Sequence, residues 1–251
     1  MSTHTWCVAL FGILLSFNAF ADEVFQYRLQ GDVGGFITAA QSPIRADTMR
    51  PLLLPYAYID YGRAFVRIDT FGIKTLPLGY GHLELVGRIK FDGFQTDNNP
   101  LLKGIGSRQN SVPVGLGSFQ LTPIGGFFLY AFRDENRSKG DMYEATYATE
   151  FNLGKLTLYP QIEIEHFSRD YTQYFYGVSA FEAAGSGYSA YKPMAATNTA
   201  LSVVLEFPLS EGWITQFYLQ RKRLDSTISD SPLVDTKYLS NAYVNVAFRY
   251  E

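Results

Sequence analysis

The last strand of this chain constrains its fold more than any other feature. From Tyr243 to Tyr250 it reads Tyr-Val-Asn-Val-Ala-Phe-Arg-Tyr, with Val244, Val246, Phe248 and Tyr250 on one face and Asn245, Ala247 and Arg249 on the other. Successive side chains of a strand point to opposite faces, so the segment is a ribbon with one apolar and one polar surface. The pattern recurs. Leu83, Leu85, Ile89 and Phe91 oppose Glu84, Arg88 and Lys90, and Tyr143, Tyr147, Phe151 and Leu153 oppose Glu144, Thr146 and Glu150. Leu156, Leu158, Ile162 and Ile164 oppose Thr157, Gln161, Glu163 and Glu165; Leu201, Val203, Leu205 and Phe207 oppose Ser202 and Glu206. Trp213, Phe217 and Leu219 oppose Gln216, Gln220 and Lys222. Each run has about the length of a tilted membrane-crossing strand.

The N-terminus supplies the compartment. Residues 1–21 read as a cleaved signal peptide: Val8–Phe20 is an apolar core and Ala19-Phe20-Ala21 a small-x-small cleavage site, although only His4 stands where basic residues usually precede the core. The core is too short for a membrane anchor. Cys7 lies within this leader, so the mature chain, 22–251, is expected to hold no disulfide, catalytic thiolate or cysteine metal site. Beyond it no apolar run approaches the ~20 residues of a membrane-spanning helix. The 20 Phe and 18 Tyr suit aromatic girdles at two membrane interfaces. A net charge of −3 with dispersed signs points to no nucleic-acid partner.

These features predict an all-β fold, a transmembrane antiparallel barrel in the outer membrane of a Gram-negative cell, with outer-membrane lipid as its solvent. Short glycine turns at Asn152-Leu153-Gly154-Lys155 and Ser210-Glu211-Gly212 belong to the periplasmic side, and the long links near 93–112, 169–197 and 225–238 to the outside. Counting back from the last strand, an even number requires Asp69-Thr70-Phe71-Gly72 to turn the chain, dividing that stretch into Ala64–Asp69 and Gly72–Leu78. The count is then about twelve strands; ten is the alternative, because Pro55, Pro77 and several glycines interrupt the strands near 52–60, 72–78 and 113–122.

Parity places Arg67, Asp69, Glu84, Arg88, Lys90, Glu144, Glu150, Glu163, Glu165, Lys222 and Arg249 in the lumen. General-diffusion pores use roughly 16–18 strands, so a barrel of about twelve is narrow and its mixed charges are expected to pair and partly fill it. A structural salt-bridge network and a selective small-solute channel are both readings of that lining.

The longest outer loop holds a capping box, Ser179 with Glu182, ahead of the helix formers Ala180–Ala184, with Gly185 and Gly187 able to end the turn. Its tyrosines either pack over the barrel mouth or meet a partner. Here the sequence resembles the MipA/OmpV family, the MltA-interacting proteins. The residues that carry this are Tyr176-Gly177-Val178-Ser179, Glu182-Ala183-Ala184, Ser186-Gly187, Ala190-Tyr191-Lys192-Pro193, Asp230-Ser231-Pro232-Leu233-Val234 and Leu54-Pro55-Tyr56. The resemblance implies a barrel without enzymatic activity. It also implies a scaffold role, bringing a murein lytic transglycosylase together with a peptidoglycan synthase, while other members look like porin-like or adhesive surface proteins. Two departures stand out: Glu251 follows the terminal aromatic Tyr250, and residues 64–110 match least.

No catalytic, cofactor-binding or metal-ligating residues are assigned. The one enzymatic alternative is a lipid hydrolase in which His166 activates Ser168, with Glu163 or Asp170 as the orienting acid, Glu163 having the wrong parity. His82 reads as a turn or lumen residue. Two scattered histidines do not make a zinc site, and Gly34-Gly35, Gly104 and Gly125-Gly126 read as turns or close strand contacts rather than a phosphate loop.

Overall fold

A ribbon that is apolar on one face satisfies both its backbone and its side chains in lipid only when the sheet closes on itself. That is the architecture found. The structure, a computed structural model, describes residues 27–45, 51–97 and 99–250; the proposed leader with Cys7, and Glu251, lie outside the described residues. The first half forms β1 (Leu29–Ala40), β2 (Leu52–Tyr61), β3 (Ala64–Arg67), β4 (Thr70–Leu78), β5 (Gly81–Arg88) and β6 (Val114–Thr122). The second half forms β7 (Gly125–Arg133), β8 (Asp141–Ala148), β9 (Phe151–Leu153), β10 (Leu156–Phe167), β11 (Ala196–Ser210), β12 (Trp213–Arg223) and β13 (Tyr238–Tyr250).

Strands that follow one another in sequence pair antiparallel, apart from β8 and β9, which both lie against β10, and β13 meets β1 to close the ring. β8 and β9 are one stave. Gln161↔Ala148 and Leu158↔Phe151 keep a single register, and the interruption falls where Pro160, which has no N–H to return, accepts from Thr149. The thirteen segments therefore make a closed twelve-stave barrel, the even count that the alternation predicts.

The predicted extra hairpin exists with its turn displaced. Arg67 pairs with Thr70, leaving Ile68-Asp69 as a two-residue loop, while Phe71 and Gly72 pair with Val66 and Phe65 inside the ladder. Gly72 serves packing rather than turning: a Cβ there would sit 2.7 Å from the Phe65 ring. β3 is only four residues long, so β2 meets it through Tyr58–Tyr61 alone. Among the described residues, Leu52–Ala57 has a strand partner only in β1.

Links sort by length. Those at 62–63, 79–80, 123–124, 154–155 and 211–212 share the end where β1 begins and β13 finishes. Four of them hold a glycine with φ between 58° and 72°, a conformation that side chains with a Cβ adopt poorly. The described parts of the long links, within 41–51, 89–113, 134–140, 168–195 and 224–237, gather at the other end. They carry helices α1 (Arg169–Tyr176), α2 (Ala180–Ser186) and α3 (Ser226–Ser229). No helix among the described residues is long and apolar enough to cross a membrane.

The outer wall is apolar. Leu53, Leu85, Ile162, Leu201 and Leu219 are all more than half exposed on it. Tyr27, Tyr61, Tyr80 and Trp213 ring the short-turn end, and Phe91, Tyr143 and Tyr238 the opposite one, the girdle pattern of a membrane barrel.

Candidate functional site: a capped, charge-filled lumen

The inward parity of each stave assembles the lumen in tiers. Midway along it, Arg67 reaches both Glu84 oxygens, Nη1 and Nη2 each 3.1 Å from Oε1, and lies 4.0 Å over the Phe65 ring. Both side chains are nearly inaccessible. A bidentate pair is the geometry in which a buried guanidinium and carboxylate recover most of their desolvation cost. Gly117 makes room beside it, since a Cβ there would lie 2.6 Å from Tyr130.

Towards the long loops, Arg88 pairs with Glu144, lies 3.8 Å from Asp69 and rests 4.9 and 4.8 Å from the stacked rings of Tyr130 and Phe132. Lys222 bridges Glu165 at 2.6 Å and Glu163 at 3.3 Å; Lys90 lies 3.6 Å from Asp92 and 3.9 Å from Glu165. Towards the short turns, Arg249 grips two carboxylates at once, Asp32 at 2.8 and 2.9 Å and Glu206 at 2.9 Å through both outer nitrogens. Gln216 donates to Glu206 and accepts from Tyr56 and Asn245, which ties this tier across β2, β11, β12 and β13.

The two ends of the lumen differ. At the long-loop end a second hydrophobic core closes the mouth. Phe167 stacks on Tyr171 with centroids 4.6 Å apart, Phe175 leans against Tyr171 at 4.7 Å, and Val178, Ile228, Leu233, Val234, Ile44, Leu102 and Ile105 are buried in the same cluster. α1 turns its buried face, Tyr171, Thr172, Phe175 and Tyr176, into it, and the Tyr171 hydroxyl donates to Asp92 directly above Lys90. Polar ties hold the loops to one another: Arg45 Nε to the Pro232 carbonyl at 2.7 Å, Ser231 Oγ to Tyr176 at 2.7 Å, Tyr191 Oη to Thr227 at 2.9 Å and Tyr188 Oη to Leu101 at 2.8 Å. The predicted capping box is present on α2, and its Glu182 also receives the Arg108 guanidinium at 2.8 Å and the Gly106 N–H at 3.0 Å. Burial works against the charge on Glu182, but the hydrogen bonds from Ser179, Arg108 and Gly106 outweigh it and hold the carboxyl at about 2.

At the short-turn end the lumen stays open as a cavity of about 580 Å³. Its walls carry Asp32, Tyr58, Arg67, Phe119, Glu150, Tyr159, Glu206 and Arg249. The volume falls within the ~300–1,000 Å³ of small-molecule sites, and aromatic surface lies beside convergent charges.

All eleven lumen charges read from parity have a place in this arrangement, Asp69 on the Ile68-Asp69 turn and Glu150 at the cavity rim. The loop tyrosines lie over the mouth. His166 and Ser168 are not brought together as a dyad: His166 Nδ1 is 2.9 Å from Thr197 Oγ1, and Ser168, at the N-cap position of α1, turns its Oγ away from the helix to accept from the Asp141 N–H at 2.9 Å. His82 lies in β5 opposite Phe119, in the ladder rather than in a turn. Sequence reading missed Asp32, because β1 is glycine-rich and alternates weakly, and it missed α1, whose Tyr171-x-x-x-Phe175-Tyr176 spacing is a helical face inside a segment read as polar.

Removing Glu84 leaves Arg67 buried without a counter-charge, so Glu84→Leu should lower stability by about 3–5 kcal/mol, and adding Arg67→Met should recover most of the loss. Urea titration of the purified barrel in detergent reads both. Glu182 makes the cap pH-sensitive. Its folded pKa lies below the ordinary carboxylate value, so its contribution is complete above about 4.5 and lost as pH falls towards about 2. Hydrogen exchange over 99–108, corrected for intrinsic rates, should accelerate through that window. Glu182→Gln should raise it roughly tenfold at pH 7 and flatten the pH response.

Comparison with known proteins agrees with this architecture. The chain is 22% identical to the outer membrane protein YiaT of Escherichia coli K12, over 97% of both chains. It is 23% identical to the MltA-interacting protein of the same organism, over 59% of this chain and 60% of that one. It is 28% identical to outer membrane protein OmpV of Vibrio cholerae, over 57% and 56%. The model of the family described as MltA-interacting protein MipA matches residues 33–250. A closed barrel with a lipid-facing wall and a match across nearly all of its staves leave one assignment: the chain belongs to the MipA family of outer-membrane proteins.

Proposed function

We propose that this barrel is a non-enzymatic scaffold of the cell envelope, which holds a murein lytic transglycosylase and a peptidoglycan synthase together at its periplasmic, short-turn end. The observation that carries the reading is the lumen's asymmetry. The mouth beneath the long loops is filled by a hydrophobic core, and the staves below it are cross-linked by paired charges. Such a body suits anchoring and presentation better than bulk diffusion, which needs a continuous aqueous path. The name of the Escherichia coli relative supports the transglycosylase as one partner.

A narrow channel is the second reading, favoured by the cavity of about 580 Å³ at the short-turn end. The separate partners found by His166 and Ser168 withdraw support from the lipid hydrolase.

Photocrosslinking in cells from Lys155 and Glu211, which lie at or beside short turns, should capture a peptidoglycan-cleaving enzyme. Repeated recovery of no peptidoglycan enzyme from either position would overturn the scaffold. Purified wild-type protein in planar bilayers should show no steady conductance; robust, solute-dependent currents would replace the scaffold with the channel.

A further inference from the structure

Among the described residues the barrel wall has a gap. β3 spans four residues and its hairpin reverses at Ile68-Asp69. At ~3.3 Å per residue and a tilt of ~40°, that turn stands roughly 15 Å above the Gly62 turn, near the middle of a ~25 Å apolar band. Above it, among the described residues, no strand occupies the positions of two staves, a width of ~10 Å. On one side stands β2, whose Leu52–Ala57 stretch pairs only with β1 among the described residues. On the other side the chain runs on from β5, Ile89 donating to the Asp69 carbonyl at 2.9 Å and Lys90 pairing away from the gap with Ser111.

We propose that this gap is a lateral doorway through which an acyl-chain amphiphile of the surrounding bilayer enters the lumen, its chain in the wall and its polar head in the cavity. Three observations select that occupant. First, the edge is blunted against another strand. Ile68 N–H donates to the Ala57 carbonyl at 2.7 Å, so by alternation Leu53 and Pro55 also turn their backbone towards the gap. Pro55 brings no N–H, which disfavours strand addition by a second copy.

Second, the sill of the doorway is apolar at a conformational cost. Two-residue hairpin loops favour Asn or Gly where φ is positive. This one has Ile68 at φ 59°, a β-branched residue in the left-handed region, with 40% of its surface exposed. An aqueous turn gains nothing from isoleucine there, whereas a turn bathed in hydrocarbon does.

Third, the lumen behind the sill is equipped for a head group. Ile68 and Asp69 line the cavity together with Tyr58 and Arg67. Tyr58 faces inward from β2, deep in the barrel, yet keeps 36% of its surface free. An amphiphile matches both surroundings, its chain against the apolar sill and wall and its head against the charged and aromatic cavity lining.

The test uses wild-type protein in vesicles of phosphatidylethanolamine and phosphatidylglycerol doped with a phospholipid carrying a diazirine midway along one acyl chain. After illumination, mass spectrometry maps the adducts. Adducts on Tyr58 and Ile68, besides the lipid-facing Leu201 and Leu219, are expected. Labelling of outward-facing residues with Tyr58 unmodified would overturn the proposal. Leu53→Lys, on the outer surface beside the gap, distinguishes the doorway from entry at the short-turn rim. It should cut labelling of Tyr58 at least fivefold and leave Leu201 unchanged. Equal Tyr58 labelling in the two proteins would show a different route and equally overturn it.

Discussion

Unpaired backbone polar groups are costly in hydrocarbon, and everywhere but at the edge above β3 a ladder of twelve staves closed on itself is how this chain avoids that cost. Much else depends on it. Closure gives every stave an inside and an outside, so each alternating run must divide its residues between lipid and lumen. Twelve staves enclose too little space for a wide water column, and charges drawn inside face one another across a few ångströms. Pairing then becomes the cheapest way to keep them ionised. The Arg67–Glu84 fork and the double grip of Arg249 on Asp32 and Glu206 are consequences of circumference as much as of sequence.

The strands were legible because their chemistry alternates with a period that only a strand has. Val244, Val246 and Phe248 could be assigned to the wall, and Asn245 and Arg249 to the lumen, without coordinates. Legibility failed where a residue served a different need. Gly72 looked like a turn residue but yields space to Phe65, so the hairpin reverses at Ile68-Asp69, a pair with no turn signature. Asp32 was hidden among the glycines of β1, which let strands approach closely and carry no face of their own. α1 was hidden by tyrosine, which reads as polar or apolar depending on where its hydroxyl ends. Which inward charges would pair was beyond reach, because pairing depends on height along the barrel and on stagger between staves.

The cap joins the resemblance to the structure. The segments that mark the family in this sequence, Tyr176 to Ser179, Ala190 to Pro193 and Asp230 to Val234, are those that interlock over the mouth. Val178 and Leu233 are buried in its core, Tyr191 reaches Thr227, and Ser231 holds the Tyr176 carbonyl. The barrel thus combines two kinds of solvent logic, an inside-out wall in lipid and, above it, an ordinary apolar core surrounded by water.

The isolated bridge between Ile44 and Val234, with the Arg45 N–H on the Leu233 carbonyl, sits at the loop end of the β1–β13 seam. Those two strands are the first and the last of the barrel, so their meeting closes the longest stretch of chain in the ladder and carries its largest loop-closure entropy cost. The bridge places the completion of the cap and the completion of the wall at one address. A barrel whose seam is still parted therefore lacks its seal as well, and an unfinished molecule differs from a finished one on the cell surface, where a loop-directed probe can tell them apart.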